Sequence, residues 1–466
     1  MDITRRLFLK NGAVALASIG FAPVLGPAFL RQAAFGAEID AQKRKKTLVC
    51  IFQRGAADGL NIVVPHGDPD LYRLRPNLAV PRPSAGKAGT ALDLDGFYGL
   101  HPALAPFLPI YKAGHLAAVH ACGSPDSTRS HFDAQDYMES GTPGSKRVSD
   151  GWLSRTVLAC PEDRARIAAA QAGGSPFRAV ALGGDHGLPR SLQGDAGALA
   201  IPDLKTFGIG LPDAAGGRGK GRRQAAKRGP GGADNSAAMA AAMASSRQTS
   251  VVDGFETLYD STVGDVLHGT GKESFEAIAM LKKANPGNYT PANGAVYPNG
   301  RFGESLKQVA QLIKADVGVE VAFAEMGGWD THTNEGPRLT QQLREFGQGV
   351  AALYQDLGDR MSDVVILTMS EFGRTARQNG NNGTDHGHAT CFFALGGDVN
   401  GGKVLGKWPG LANEQLYENR DLALTTDFRA VFGETALKHL GAQGLQRVFP
   451  GYAGTTADFR GVLRTA

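Results

Sequence analysis

The sequence has little cysteine, little net charge and, beyond its N-terminal region, no long apolar segment. Its four cysteines, Cys50, Cys122, Cys160 and Cys391, form no close pair, so their spacing requires no disulfide. The formal net charge of +4 is small for 466 residues, and no broad basic face is indicated, so we expect no nucleic-acid partner. Because no later segment is apolar enough to span a bilayer, we expect no transmembrane segment in the mature chain.

The N-terminal region has the layout of a twin-arginine signal peptide. Arg5 and Arg6 precede Phe-Leu-Lys, a mildly apolar stretch over residues 12–25, and small residues up to Ala37. The stretch is shorter than the ~20 apolar residues that span a bilayer, and the order charged, apolar, small is that of a cleavable signal. We expect cleavage after Gly36 or Ala37, the alternative being an uncleaved anchor. The sequence therefore predicts that the twin-arginine translocase exports the folded chain, to the periplasm.

The remaining residues, 38–466, alternate between strand-like and helix-like segments. Short apolar runs predict strands over 46–52, 116–122, 177–182, 318–324 and 363–369. Helical patterns cover 303–315 and 337–357, and Ser130 is the expected N-cap of a further helix. This alternation predicts a three-layer α/β/α domain with a mostly parallel central sheet. A Gly-, Ala- and Arg-rich stretch at about 214–250 indicates a low-complexity basic insertion.

Polar side chains of metal-binding and catalytic types follow several predicted strands. Ligands of an open parallel α/β sheet bind beyond the carboxyl ends of its strands, so these side chains are candidate site residues. They are Asp58, Ser130, His131, Asp330, His332, Glu371, Arg374, Asp385, His386 and His388.

Two groups among them favour metal binding. Asp330 and His332 project to the same side of an extended backbone. Asp385, His386 and His388 place three ligand-type side chains within four positions. Imidazole and carboxylate together suit zinc, manganese or iron. We therefore predict one or two divalent metal ions, and two ions beside a hydroxyl would form a clamp for displacement at phosphorus or sulfur.

Several of the single residues have a structural alternative. A loop aspartate such as Asp58 is often a turn or cap residue, and Ser130 can be an N-cap and nothing more. His131 can simply pack beneath its loop, and Glu371 can simply pair with Arg374. The sequence leaves these alternatives open.

The motifs of this chain resemble those of one bacterial family. They are FQRGAADGLN at 52–61, RPNLA at 75–79, RSHF at 129–132, GWDTH at 328–332, SEFGRT at 370–375 and GTDHGH at 383–388. The family is the domain of unknown function 1501, which is usually exported through the twin-arginine pathway. The resemblance covers nearly the whole mature chain, and the family is similar in turn to the alkaline phosphatase and sulfatase superfamily.

The similarity to that superfamily implies a three-layer α/β fold with a two-metal site. It implies Asp58, Asp385 and His386 as ligands of the first metal, and Asp330 and His332 as ligands of the second. His388 would take the place of a histidine normally found further downstream. Ser130, or Thr128 in its place, would be the nucleophile. One residue separates Asp330 from His332, whereas the superfamily pair is normally three residues apart.

Competing functions follow from these residues. The first is a periplasmic metallohydrolase, in which Ser130 attacks a phosphate or sulfate ester of a small molecule or glycan. Arg374 or Arg129 would then stabilise the developing charge. The second is a non-catalytic binding or structural protein that keeps the fold and a metal, and a third is a metal-storage or assembly factor. Fold similarity alone does not choose among them.

Overall fold

The computed structural model describes residues 45–160, 177–184, 187–204 and 288–464. The predicted signal peptide, its cleavage site and the 214–250 insertion lie outside these residues. The chain divides between Lys45 and Lys46, and the elements below belong to the unit that begins at Lys46. Within the described ranges, no helix combines the length and the apolarity needed to cross a membrane.

The unit contains a large central sheet and a small one. The strands are β1 Thr47–Gln53, β2 Val63–Val64, β3 Leu92–Asp93, β4 Gly99–Leu100, β5 Leu116–Gly123, β6 Ala179–Leu182, β7 Leu199–Ile201, β8 Val321–Met326, β9 Val364–Met369, β10 Thr390–Gly396, β11 Lys403–Leu405 and β12 Thr426–Asp427. The large sheet has the order β11-β5-β10-β9-β1-β8-β6-β7, with β12 beside β5, and the small sheet has the order β2-β4-β3. In the large sheet, β10 runs antiparallel to β5 and β9, and the other described pairings are parallel.

Helices cover the large sheet. They are α1 Gly59–Ile62, α2 Pro69–Leu74, α3 Phe107–Lys112, α4 His131–Ser140, α5 Trp152–Leu158, α6 Arg301–Lys314, α7 Glu335–Leu357, α8 Phe428–Glu434 and α9 Leu445–Val448. Short 3₁₀ turns lie at Pro102–Leu104, Arg190–Leu192, Gly358–Asp363, Asn413–Gln415 and Thr456–Asp458, and a π-helical turn continues α8 over Thr435–His439.

Strand β1 lies in the middle of the fold, with packed helices on both faces. Successive side chains of a strand point to opposite faces. Val49 and Ile51 belong to one core cluster together with residues of α6 and α7. Leu48, Cys50 and Phe52 belong to a second cluster together with residues of α5 and α8. The predicted three-layer α/β/α fold with a mostly parallel sheet is confirmed.

The predicted strands and helices are present with ends that differ by a few residues, and Ser130 is the N-cap of α4. Strand β10 was not predicted, although Thr390–Gly396 is buried along its whole length. Its direction matters for the site. Because β10 is antiparallel to β5, its first residue, Thr390, pairs with Cys122 near the carboxyl end of β5. Residues 384–389 therefore lie at the same sheet edge as the loops that follow β1, β5, β8 and β9.

Candidate metal centre

Three ligand-type side chains converge at this edge of the sheet. His131 is the first residue of α4, Asp330 lies in the loop after β8, and His386 lies in the loop that enters β10. One ligand atom from each lies within 4.8 Å of the others. The His386 Nε2 atom is 3.0 Å from His131 Nε2 and 3.2 Å from Asp330 Oδ1, and His131 Nε2 is 3.6 Å from Asp330 Oδ2. No other such group occurs within the described ranges.

His332 adds a third imidazole to this cluster. Its Nε2 atom lies 3.0 Å from His386 Nε2 and 2.9 Å from Asp330 Oδ1. It thus contacts two members of the three-residue group, although the group within 4.8 Å does not include it. We therefore treat His131, Asp330 and His386 as the primary ligand set and His332 as a fourth ligand at its edge.

The opposite ring nitrogen of each histidine faces an oxygen acceptor. His131 Nδ1 lies 2.8 Å from Glu371 Oε1, and His332 Nδ1 lies 3.0 Å from Asp385 Oδ1. His386 Nδ1 lies 2.9 Å from the backbone carbonyl oxygen of Arg129. A carbonyl or ionised carboxylate oxygen can only accept, so in each case we assign the proton to Nδ1.

The two carboxylates that receive these bonds are kept ionised. Burial raises the pKa of Glu371, but hydrogen bonds from His131, Gln135 and the Gly55 backbone outweigh burial and leave that pKa below its usual value. The pKa of Asp385 is likewise lowered, because a bond from His332 and a bond from Asn379 outweigh its partial burial. Both carboxylates therefore support the Nδ1–H tautomer of the ring that each contacts.

In the neutral rings this assignment leaves three bare Nε2 lone pairs and one carboxylate facing each other, while the bond to Glu371 raises the pKa of His131 and so favours a second proton on that ring. Such acceptors repel one another unless a cation lies among them. Two ligands of a tetrahedral zinc ion, each at ~2.0–2.1 Å, are separated by about 3.3 Å, close to the 3.0 Å between Nε2 atoms here. The donor set of imidazole and carboxylate suits zinc, manganese or iron, so the residues present fit the predicted divalent metal.

Asp330 carries the negative charge of the cluster. The guanidinium of Arg374, which is 1% exposed, donates from Nη1 to Asp330 Oδ1 at 2.6 Å. Partial burial raises the pKa of Asp330, but Arg374, His332 and His386 outweigh it and hold that pKa below its usual value. Arg374 is itself held by the hydroxyl and the carbonyl of Thr384. It therefore positions a ligand, rather than reaching out towards solvent.

The cluster is open to solvent on one side. The side chains of Asp330 and His332 are each 42% exposed, whereas those of His131 and His386 are 25% and 23% exposed. Closed structural metal sites keep their ligands buried, while sites that exchange ligands leave one position accessible. Because four protein ligands would fill a tetrahedral site, a small molecule could bind an ion held by these residues only as a fifth ligand, from the exposed side of Asp330 and His332.

The remaining residues selected from the sequence lie around the cluster or away from it. Ser130 directly precedes His131, and its hydroxyl bonds to Asp133 in the first turn of α4. Both carboxylate oxygens of the buried Asp58 accept bonds from Arg75, at 2.6 and 2.9 Å. His388 is buried and stacks on Tyr417 with ring centroids 4.3 Å apart, and burial lowers its pKa.

Two residues were collected from the sequence and given no role by the similarity, namely His131 and Glu371. Their signal was weak, because each stands in its motif without a second ligand-type residue and has a structural alternative. What identifies them is the contact between the start of α4 and the loop after β9, which brings His131 Nδ1 onto Glu371. His131 and Glu371 are 240 residues apart, so no local sequence pattern predicts their contact.

We predict that Glu371→Gln weakens metal affinity by about 10- to 100-fold while the fold is kept, because the neutral amide orients and polarises the His131 ring less well. Glu414→Gln makes the same chemical change at an exposed 3₁₀ turn and is the matched control. Titration with a competing metal chelator measures both. Equal affinities for the two variants would contradict the role of Glu371.

Comparison with known families adds one finding. Residues 219–448 match a family model described as "Protein of unknown function (DUF1501)". The matched segment includes Asp330, His332 and His386 and leaves out Asp58 and His131. No curated protein matches the chain. Over the segment that supplies most of the candidate metal ligands, the chain is therefore similar to an uncharacterised family.

Proposed function

We propose that this protein binds one divalent transition-metal ion at His131, Asp330 and His386, with His332 as a fourth ligand. We further propose that it is an exported metal-dependent hydrolase or transferase acting on phosphate or sulfate esters. The observation that carries the proposal is the convergence of three imidazole Nε2 atoms on one carboxylate, with each Nδ1 held by an oxygen acceptor.

Solvent access to the cluster favours a reactive centre over a structural one, since Asp330 and His332 remain 42% exposed. A divalent ion bound there would act as a Lewis acid on a phosphoryl or sulfuryl oxygen. Arg374 keeps Asp330 ionised and in place, and Glu371 and the Arg129 carbonyl fix two of the rings. These residues supply the pre-organisation that such a centre requires.

We infer that the Ser130 hydroxyl is the nucleophile. It is the N-cap of α4 and precedes His131, and its oxygen makes no capping bond to the helix. The N-terminus of a helix favours an anionic group through its free N–H groups and its dipole. A phosphate or sulfate ester bound at the metal would therefore lie near the Ser130 hydroxyl, where the N-terminus of α4 favours its negative charge.

A second candidate function, a non-catalytic metal-dependent binder, is favoured by the state of the two nearby arginines. Arg129 is bonded to Asp421 and Glu418, and Arg374 is bonded to Asp330 and Thr384. Both guanidiniums thus already have acidic partners within the protein, which reduces the positive charge that they offer to a substrate. The same ligands would then hold a metal that serves structure, or that anchors a glycan or partner.

The experiment combines metal analysis with turnover. We expect purified mature protein to bind one zinc or manganese ion, measured by elemental analysis and titration, and to hydrolyse 4-nitrophenyl phosphate or sulfate. Ser130→Ala is expected to lower kcat by at least about 10³-fold, as removal of a nucleophile does, without loss of metal. Ser149→Ala, at an exposed position engaged only through its backbone, is the control.

The outcomes separate the candidates. One bound ion with no turnover selects the binder. Turnover that survives in the Ser130 variant removes Ser130 from the mechanism. Failure to bind any transition metal, with zinc, manganese and iron each tested, overturns the proposal as a whole.

Export through the twin-arginine pathway is part of this proposal, and rests on Arg5 and Arg6. We expect Arg5→Lys combined with Arg6→Lys to hold the full chain in the cytoplasm, while Arg31→Lys leaves export unchanged. Cell fractionation with immunodetection measures both. Undiminished export of the double variant would show that another route carries this chain.

A further inference from the structure

A cavity of about 210 Å³ adjoins the candidate metal centre. Its polar lining includes Thr375, Arg377, Gln378, Asp385, Asn419 and Arg420, and we call it the Arg377 cavity. The connection to the centre runs through Asp385, whose Oδ1 accepts the bond from His332 Nδ1. Since the other nitrogen of His332 contacts Asp330, the cavity wall at Asp385 lies directly behind one of the proposed metal ligands, His332.

Arg377 gives this cavity a cation that no carboxylate balances. Arg374 is bonded to Asp330, and Arg420 is bonded to Asp421 at 3.2 Å. The exposed guanidinium of Arg377, by contrast, makes no ion pair or hydrogen bond with any described residue. With Arg420 neutralised by Asp421, Arg377 is the cation of the lining that has no partner among the described residues, and the carboxylate of Asp385 is already engaged by His332 and Asn379.

Gln378 presents a second donor that is already oriented. Its Oε1 atom accepts bonds from the backbone nitrogens of Asn77 and Leu78, at 3.0 and 3.1 Å. Those two bonds fix the amide, so its NH₂ group carries the unused donors. A guanidinium and an amide NH₂ among the residues that line one cavity match the acceptor oxygens of an oxyanion.

The size of the cavity limits what it can hold. Pockets for drug-sized ligands have volumes of roughly 300–1,000 Å³, and this one is smaller. It therefore fits a single sulfate, phosphate or carboxylate group with little of the molecule that carries it.

We propose that the Arg377 cavity binds an oxyanion group of the same ligand whose ester reaches the metal centre, so that the substrate carries at least two anionic groups. The proposal rests on the proposed function for the role of the centre, and on the cavity alone for anion binding. Such a substrate is a multiply charged ester, for example a sugar that carries a carboxylate or a second sulfate or phosphate.

The test uses the full mature protein, both metal-free and loaded with zinc, at low ionic strength. Inorganic sulfate, inorganic phosphate and glucuronate are titrated separately by calorimetry. The first two present an oxyanion as a free ion, and glucuronate presents a carboxylate on a sugar. We expect one of them to bind in both forms. Arg377→Ala should weaken that binding about tenfold or more, and Arg377→Glu should abolish it, as expected for a charge-assisted hydrogen bond.

The control is Arg344→Ala, an equal charge change at an exposed position of α7, about 13 Å along the helix axis from its start. It should leave affinity within about twofold, because salt screens a distant surface charge. Anion binding that appears only with zinc and ignores Arg377, or that is absent in both forms, overturns the proposal. If the protein takes up no metal but binds an anion through Arg377, the anion site at the Arg377 cavity is supported. Only the proposed metal binding is then refuted.

Discussion

His386→Ala is expected to lower metal affinity by well over 100-fold and to leave the purified protein with essentially no bound ion. The His386 Nε2 atom lies 3.0 Å from the Nε2 atoms of both His131 and His332 and 3.2 Å from Asp330 Oδ1, so it touches every other member of the cluster. Losing an outer partner of a ligand costs about 10- to 100-fold in affinity, and losing the central ligand itself should cost more. Elemental analysis and chelator competition give the stoichiometry and the affinity.

The matched control is His388→Ala, two residues further along the same loop. Its ring stacks on Tyr417 rather than joining the converging nitrogens, so we expect it to keep one bound ion. The sequence had placed both histidines among the ligands. If His388→Ala lost the metal and His386→Ala kept it, then His388, and not His386, would be the ligand.

Arg75→Met is expected to lower the free energy of unfolding by about 3–5 kcal/mol, the usual cost of breaking a buried ion pair by removing one partner. Arg75 is 0% exposed and Asp58 is 1% exposed, so the substitution leaves a carboxylate without its cation in the core. Arg75 also donates to the carbonyls of Thr375 and Ala376, at 2.7 and 3.0 Å. Denaturant unfolding followed by circular dichroism measures the change.

Two variants sharpen this result. Arg73→Met removes an exposed arginine from α2, the helix that ends just before Arg75, where its pair with Asp70 is worth less than about 1 kcal/mol. Adding Asp58→Asn to Arg75→Met removes the unpaired charge and should recover part of the lost stability. If Arg73→Met and Arg75→Met destabilised the protein equally, the buried pair would not have the role assigned to it.

The pairing of Asp58 also explains why its position after β1 does not by itself make it a metal ligand. Burial, and then the charge of Asp58, raise the pKa of Glu335 to about 8, so Glu335 keeps a proton at neutral pH and bonds to Asp58. The two carboxyl groups then carry one negative charge between them, and the Arg75 guanidinium neutralises it. The Arg75 guanidinium thus occupies the position beside Asp58 where the similarity to the phosphatase and sulfatase superfamily implied a metal ion.

The fold class and the positions of the main strands could be predicted because they depend on local patterns. A fully buried strand such as β1 or β9 is a short apolar run, and an amphipathic helix such as α6 or α7 repeats with the helical period. The sequence also singled out Asp330, His332, Asp385 and His386, because ligand-type residues cluster there within a few positions. The signal peptide, the insertion and export remain predictions.

The tertiary structure decided which of those polar residues meet. The antiparallel β10 carries His386 back to the edge where α4 begins, and that contact places His131 in the cluster. Which oxygen each histidine faces, and which arginine neutralises Asp58, depend on partners 17 to 257 residues apart. The sequence by itself determined the elements and the chemistry available at one sheet edge, since both are local. Only packing determined the ligand set, because hydrogen bonds and charge pairs are set by distances between loops that no local pattern encodes.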